Sequence, residues 1–123
     1  MSVIERVLVH EVPVPLVRPF VTAVRTARDL RVMLVELVDS DGASGWGEAP
    51  ASWRVTGESP ESIRAVVEGP LSETVIGRDP EDLERLGDDL AASVIGNASA
   101  RSAVDCGLHD LAARRFGLSL ATL

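Results

Sequence analysis

The first fifty residues show the hydrophobic pattern of β-strands. Residues 3–12 (VIERVLVHEV) and 30–38 (LRVMLVELV) are rich in β-branched and apolar side chains that partly alternate with polar ones. The turn sequence DSDG at 39–42 precedes ASGWGEA at 43–49, and this order is typical of a β-hairpin. We therefore predict three antiparallel strands, near 3–15, 30–39 and 43–49.

Proline residues mark the segment between the first two predicted strands. Pro13, Pro15 and Pro19 cannot donate a backbone hydrogen bond, which argues against a continued central strand. The stretch from Arg18 to Asp29 has no clear hydrophobic period. We therefore predict a long loop in this segment.

The second half of the chain has the signals of helices. Ser-Pro at 59–60 and Asp-Pro at 79–80 are typical of helix starts, and Gly69-Pro70 interrupts the first apolar stripe. Asn97 can cap a third helix with an alanine- and leucine-rich face, and Gly117 ends it. Strands followed by helices favour an α+β fold in which the helices pack on the sheet. We predict helices near 60–68, 80–92 and 98–116.

Charge and length limit the classes of partner. The 123 residues fit one domain with a modest core. Nineteen acidic and twelve basic residues give a net charge of −7, and the bases are scattered except at Arg114 and Arg115. The sequence therefore has no basic patch for a nucleic-acid backbone, which excludes nucleic acid as an expected partner. All twelve bases are arginine, so the chain contains no lysine.

The sequence also indicates a compartment. No window reaches the roughly 18 consecutive apolar residues of a membrane span, so no membrane partner is expected. The first twenty residues include Glu5, Arg6, His10 and Glu11 and lack the apolar run of a secretory signal. A single cysteine, Cys106, excludes an internal disulfide and fits a reducing compartment. We expect a cytoplasmic protein.

The segment around Glu48 is the first candidate for chemistry. Glu48 beside Trp46 is either a perturbed catalytic acid or, as we favour, a carboxylate that accepts hydrogen bonds from neighbouring loops. The glycine-rich sequence GASGWG at 42–47 lies inside the predicted hairpin, and no helix begins directly after it. Its glycines therefore indicate strands that bend or pack closely rather than a phosphate-binding loop.

The third predicted helix carries two further candidates. Arg101, Asp105 and His109 follow one another at four-residue spacing, so they can meet across turns. Because no third ligand lies nearby in the sequence, Asp105 and His109 indicate a salt link rather than a metal site. Cys106 lies among alanines with no cation placed to activate it, which favours a helix-packing role.

Four segments carry a resemblance to a known family, and they are 18–50, TGES at 56–59, GRDPEDLERL at 77–86 and 97–123. The most specific parts are PFVTA at 19–23, DSDGASGWGEA at 39–49 and ARSAVDCGLHDL at 100–111. In this order and spacing they resemble the amino-terminal capping domain of the enolase superfamily. The most similar group is the muconate-lactonizing subgroup of the mandelate racemase/muconate lactonizing enzyme family. This subgroup includes muconate cycloisomerases, o-succinylbenzoate synthases, N-acylamino acid racemases and dipeptide epimerases.

The resemblance implies a division of labour between two domains. Residues 1–117 would form the capping domain, of three antiparallel strands and a helical part, and 118–123 would begin the connection to a β/α barrel that this chain lacks. In the subgroup a pair of lysines acts as acid and base on the proton α to a carboxylate, and three barrel acids bind the magnesium ion that stabilises the enediolate. The chain has no lysine and is too short for a barrel of about 250 residues. We therefore expect no catalytic or metal-binding residue in this chain and no activity from it alone.

The resemblance also implies where substrate specificity lies. Residues 18–28 and 50–58 match two mobile loops that close over the substrate, a small carboxylate, and the full-length enzyme is expected to be a homo-oligomer. TGES resembles the TGE[ST] of dipeptide epimerases and N-acylamino acid racemases, so an amino-acid derivative is the first choice and muconate cycloisomerase or o-succinylbenzoate synthase chemistry the alternative. A self-standing, non-enzymatic binding domain is the alternative from another class. Arg25 is a candidate partner for an acidic group. The candidate substrate-binding residues are Phe20, Thr22, Arg25, Trp53 and Thr56.

Overall fold

A three-stranded antiparallel sheet forms the amino-terminal part of the structure, a computed structural model that describes residues 2–123. Its strands are β1 (Ile4–Val21), β2 (Thr26–Asp39) and β3 (Ser44–Pro50), in the spatial order β1-β2-β3. Both pairings are antiparallel. The predicted sheet is confirmed, and the GWGEA sequence forms its last strand.

The β1–β2 hairpin is much longer than the sequence predicted. The long loop expected over 18–28 is wrong, because β1 continues to Val21 and β2 begins at Thr26. β1 is an edge strand with a neighbour on one side only. Proline is tolerated there because its missing N–H can face the side that has no neighbouring strand. The register shifts between Pro15 and Phe20, and this irregularity accommodates the remaining proline. A turn of only four residues, 22–25, connects the strands.

The helical part begins at a well-formed N-cap. The Ser59 hydroxyl accepts a hydrogen bond from the Ser62 N–H at 3.0 Å, and the Ser62 hydroxyl accepts one from the Ser59 N–H at 2.8 Å. This reciprocal capping box confirms the predicted helix start. The helices are α1 (Pro60–Val66), a π-helical segment (Val67–Leu71), α2 (Ser72–Val75), α3 (Leu83–Ser93) and α4 (Ala98–Arg115).

Two of the predicted helix boundaries are wrong. Gly69 and Pro70 do not end the first helix, because the chain passes through them as a kinked π-helical segment and continues to Val75. The second helix begins at Leu83 rather than at 80. There the Asp79 carboxylate accepts a hydrogen bond from the Glu81 N–H at 2.9 Å and forms a turn first. The last helix has the predicted bounds to within one residue.

The helices cover one face of the sheet, and α4 lies against β3 and β2. Its buried face has the residues that the sequence predicted, but Cys106 is exposed, so its predicted packing role is wrong. The predicted face comprises Ala100, Ala103, Val104, Gly107, Leu108 and Leu111, all buried.

Among residues 2–123, no helix is both long enough and apolar enough to cross a membrane.

α4 and β3 approach each other closely enough to exclude side chains. A Cβ atom on Gly45 would collide with the carbonyl oxygen of Gly107 and the backbone nitrogen of Leu111. A Cβ atom on Gly47 would collide with the carbonyl oxygen of Ala103. The glycines of GWGEA therefore let the helix lie directly on the strand backbone, which confirms the close-packing interpretation.

Arg115, at the end of α4, ties three parts of the fold together. Its guanidinium lies 2.9 Å from the buried carboxylate of Asp39, 3.6 Å from Asp41 and 3.3 Å from Glu81. The other carboxylate oxygen of Asp39 accepts hydrogen bonds from the N–H groups of Asp41 and Ala43. One buried acid thus holds both the β2–β3 turn and the end of the helix.

Candidate functional site

A cleft of about 470 Å³ opens between the outer half of the β1–β2 hairpin and the segment 51–58. It exists because β3 ends at Pro50, opposite Val32, while β2 extends further and has no neighbour on that side. The segment 51–58 flanks the open edge of β2 instead. The cleft is lined by polar and apolar groups that include Arg25, Asp29, Arg31, Glu48, Trp53 and Thr56.

The cleft brings together three of the five predicted substrate-binding residues. Arg25 reaches it from the hairpin turn, and Trp53 and Thr56 reach it from the opposite segment. Trp53 is 74% exposed, so its indole is available to a ligand. Phe20 and Thr22 lie on the hairpin but do not line the cleft. The two predicted segments therefore face each other, although only part of each contributes.

Thr22 has a role within its own turn. Its hydroxyl oxygen accepts hydrogen bonds from the N–H groups of Val24 at 3.4 Å and Arg25 at 3.2 Å. The Thr22 N–H also donates to the Arg25 carbonyl oxygen at 2.8 Å. These contacts fix the backbone of the hairpin turn that carries Arg25. Thr22 therefore helps to position Arg25 and does not itself line the cleft.

The two arginines of the cleft differ in their surroundings. Arg31 lies between Glu11 and Glu61, and hydrogen bonds to these two carboxylates raise its pKa above the ordinary arginine value. Arg25 makes no ion pair with any carboxylate in the part of the chain that the structure describes. An acidic group that enters the cleft would therefore find its free cationic partner in Arg25.

Glu48 does not have the role that the sequence favoured. Its side chain is exposed and lines the cleft, and no described residue donates a hydrogen bond to it. The interpretation of Glu48 as an acceptor for neighbouring loops is therefore wrong. The carboxylate is instead available on the cleft wall, where β3 contributes it.

The loop-binding carboxylate is Glu58, which sequence analysis missed. Glu58 is 2% exposed and accepts hydrogen bonds from the N–H groups of Ser99 at 2.8 Å and Ala100 at 3.0 Å, at the start of α4. Asn97 occupies the predicted N-cap position, but the predicted capping by its side chain is wrong: the residue has a left-handed backbone, and its side chain donates to the Ile95 carbonyl oxygen. A capping acid that is about forty residues distant leaves no local sequence signal.

The candidate metal ligands on α4 remain a local pair. The His109 ring nitrogen Nδ1 lies 2.9 Å from the carbonyl oxygen of Asp105 and 3.7 Å from its carboxylate. Arg101 donates to the Gly96 carbonyl oxygen instead of joining this pair. Within residues 2–123, no three His, Cys, Asp or Glu side chains converge on a point that could hold a metal ion. The described residues therefore do not fit a magnesium site.

Comparison with known proteins places this geometry in a family. The chain is 34% identical over 121 residues to an L-Ala-D/L-Glu epimerase of Clostridium acetobutylicum, covering 98% of this chain and 34% of the relative. It is also 34% identical over 122 residues to a chloromuconate cycloisomerase of Delftia acidovorans, covering 98% of this chain and 33% of the relative.

A solved structure has the same fold over nearly the whole chain. The dipeptide epimerase of Methylococcus capsulatus, complexed with Mg and the dipeptide L-Arg-D-Lys, superposes with a TM-score of 0.87 at 34% identity, covering 97% of this chain and 34% of that one. The present chain thus spans about a third of the length of the proteins it matches. Residues 4–123 match the family described as mandelate racemase/muconate lactonizing enzyme, N-terminal domain, and the chain belongs to this family of the enolase superfamily.

Proposed function

We propose that this chain is the substrate-capping domain of a larger, magnesium-dependent enzyme that removes the proton α to a carboxylate, and that the substrate is a dipeptide. The observation that carries the proposal is the cleft, in which Arg25, Trp53 and Thr56 meet from two opposing segments. The similarity to dipeptide epimerases over nearly the whole chain supports it.

The proposal assigns binding to this chain and proton transfer to residues outside it. The chain has no lysine, and its described acids do not converge on a metal site. What it offers is a cleft with apolar groups and the guanidinium of Arg25, which can orient a substrate and exclude water from it. We accordingly propose that 1–117 form the capping domain and that 118–123 lead toward a barrel domain that carries the lysines and the magnesium ligands.

Arg25 favours a substrate that places an acidic side chain beside it, while the carboxylates of Asp29 and Glu48 line other parts of the cleft. Arg25 has no carboxylate partner among the described residues, and an arginine binds a carboxylate through two parallel hydrogen bonds. A dipeptide that contains glutamate supplies such a group. Muconate cycloisomerization or o-succinylbenzoate synthesis is the second candidate, because these substrates are also acids and the chloromuconate cycloisomerase is equally similar in sequence.

Proton exchange by the complete protein tests the proposed function. The complete gene product, incubated in heavy water with magnesium, should place deuterium at the α-carbon of an L-Ala-L-Glu dipeptide, detected by mass spectrometry. N-acylamino acids and muconate, offered in parallel, distinguish the other activities of the subgroup. Exchange with none of these carboxylates would favour a self-standing binding domain instead.

Arg25→Ala in the same complete protein tests the role of the cleft. We expect kcat/KM for the acidic dipeptide to fall about 10- to 100-fold, since a charge-assisted hydrogen bond contributes about 1.5–3 kcal/mol. Arg28→Ala is the matched control, because Arg28 is an exposed arginine of the same hairpin that does not line the cleft. Equal losses in the two variants would contradict a specific role for Arg25.

The isolated 123-residue chain should be inactive. We expect no magnesium binding in calorimetry and no deuterium incorporation into any carboxylate substrate, because the acid/base lysines and the clustered acids are not among its residues. The complete protein, measured in the same buffers, is the positive control. Turnover by the highly purified chain would show that the assignment of chemistry to the barrel is wrong.

We further propose a cytoplasmic, homo-oligomeric enzyme. The cytoplasmic assignment rests on the single cysteine, Cys106, which is exposed and would remain a free thiol in a reducing compartment. The net charge of −7 gives no basis for a nucleic-acid partner. Sedimentation of the complete protein would measure its oligomeric state.

A further inference from the structure

The two ends of the segment 51–58 are tied to the same turn of α4. At one end, the Ser99 hydroxyl donates a hydrogen bond to the Pro50 carbonyl oxygen at 2.7 Å. At the other end, the Glu58 carboxylate accepts hydrogen bonds from the backbone N–H groups of Ser99 and Ala100. Ser99 and Glu58 are both buried. Ser99 therefore contacts the start and the end of the segment at once.

The segment also has an internal scaffold. The Ser52 carbonyl oxygen faces the N–H groups of Val55, Thr56 and Gly57 at 3.4, 3.2 and 3.1 Å, and Ser52 forms a bridge with Glu58. The side chains of Trp53 and Val55 remain exposed around this compact turn. The backbone of the segment is thus held by its own hydrogen bonds and by those to α4, while the side chains of Trp53 and Val55 at the cleft remain exposed.

Electrostatics favour the Glu58 end of this attachment. A helix N-terminus carries partial positive charge and unpaired N–H groups, and a buried carboxylate there satisfies both. Because Asn97 does not cap α4 with its side chain, Glu58 supplies the capping that the helix needs. The stability of the helix start and the position of the segment are therefore coupled.

We propose that Ser99 and Glu58 are positioning residues that hold the segment 51–58, and with it Trp53, at the mouth of the cleft. Ser99 does not line the cleft, and Glu58 borders it but directs its carboxylate to the start of α4, so both act through the backbone ends of the segment. The proposal rests on the proposed function only for the statement that the cleft binds substrate. The attachment itself can be tested without any substrate, so the failure of one proposal is distinguishable from the failure of the other.

Ser99→Ala tests the attachment by hydrogen exchange. Loss of the bond to Pro50 should accelerate amide exchange at Thr56 and Gly57 about 5- to 30-fold, the factor that corresponds to one buried hydrogen bond. Ser72→Ala is the matched control: Ser72 is buried to a similar extent, its hydroxyl donates to the Val67 carbonyl oxygen, and neither residue lines the cleft. Equal acceleration in both variants would reduce Ser99 to a general stabilising residue and overturn the proposal.

Rescue and a spectroscopic signal separate position from stability. Ser99→Thr restores the hydroxyl and should return the exchange rates to within about twofold of the parent, an interval well below one hydrogen bond. In a Trp46→Phe background, the emission of Trp53 should become more accessible to acrylamide in Ser99→Ala and in Glu58→Gln, and should stay unchanged in Ser72→Ala. Unchanged Trp53 quenching in both Ser99→Ala and Glu58→Gln would contradict the proposal even if both variants were less stable.

Discussion

Replacing Gly47 with alanine should destabilise the domain by about 3 kcal/mol or more. The added Cβ atom would meet the carbonyl oxygen and backbone carbon atoms of Ala103, and backbone cannot turn aside as a flexible side chain can. Helix α4 would have to move away from β3 and open the core beneath it. For a domain of ordinary stability, about 5–15 kcal/mol, this is a large fraction of the total. Urea denaturation followed by circular dichroism measures the loss.

Gly87→Ala is the matched control for this prediction. Gly87 lies inside α3, and a Cβ atom there has open space around it. Alanine should therefore stabilise the helix by about 0.5–1 kcal/mol, the usual gain over glycine in a helix interior. The same substitution is thus expected to have opposite signs at two positions. A loss below about 1 kcal/mol for Gly47→Ala would show that α4 can shift without cost, contrary to close packing.

The sequence was informative where a local pattern determines the structure. The glycine spacing of GWGEA indicated close packing, and the alanine- and leucine-rich face of the last helix identified its buried side, because both signals repeat along one element. The hairpin over 18–28 is not predictable from its prolines, because a proline argues against a central strand but is tolerated in an edge strand. Whether a strand lies at an edge depends on sheet order, which no local pattern contains.

The candidate site was only partly predictable for the same reason. Arg25, Trp53 and Thr56 were found through family resemblance, and the structure shows that they share a cleft. Glu58 was missed because its partners are at Ser99 and Ala100, and contacts between distant residues leave no spacing to recognise. The exposed acid Glu48 and the buried acid Glu58 have opposite environments, yet both follow a glycine in the sequence.

Replacing Arg115 with methionine should cost about 3 kcal/mol at neutral pH. The substitution leaves the carboxylate of Asp39 buried without its cationic partner, although the N–H groups of Asp41 and Ala43 still compensate part of its charge. Arg78→Met is the control, because Arg78 pairs with the exposed carboxylate of Asp89 and should cost at most about 1 kcal/mol. Similar losses in the two variants would show that burial of Asp39 adds nothing to the pair.

The stabilisation that Arg115 and Asp39 provide together should depend on pH, and the pKa of Asp39 decides the direction. Burial by itself would raise the pKa of Asp39, but hydrogen bonds from the Ala43 N–H, Arg115 and the Asp41 N–H outweigh it, so the pKa lies below its ordinary value. A lowered folded-state pKa means that the carboxylate stabilises the fold above the unfolded value of about 4, and that this contribution disappears as the pH falls through the folded value. A double-mutant cycle of Arg115→Met and Asp39→Asn measures the coupling energy of the two side chains. We expect this energy to be constant between about pH 6 and pH 8 and to decline as the solution is acidified below about pH 4. Coupling that persists unchanged into the acid range would mean that the interaction is one of shape rather than of charge.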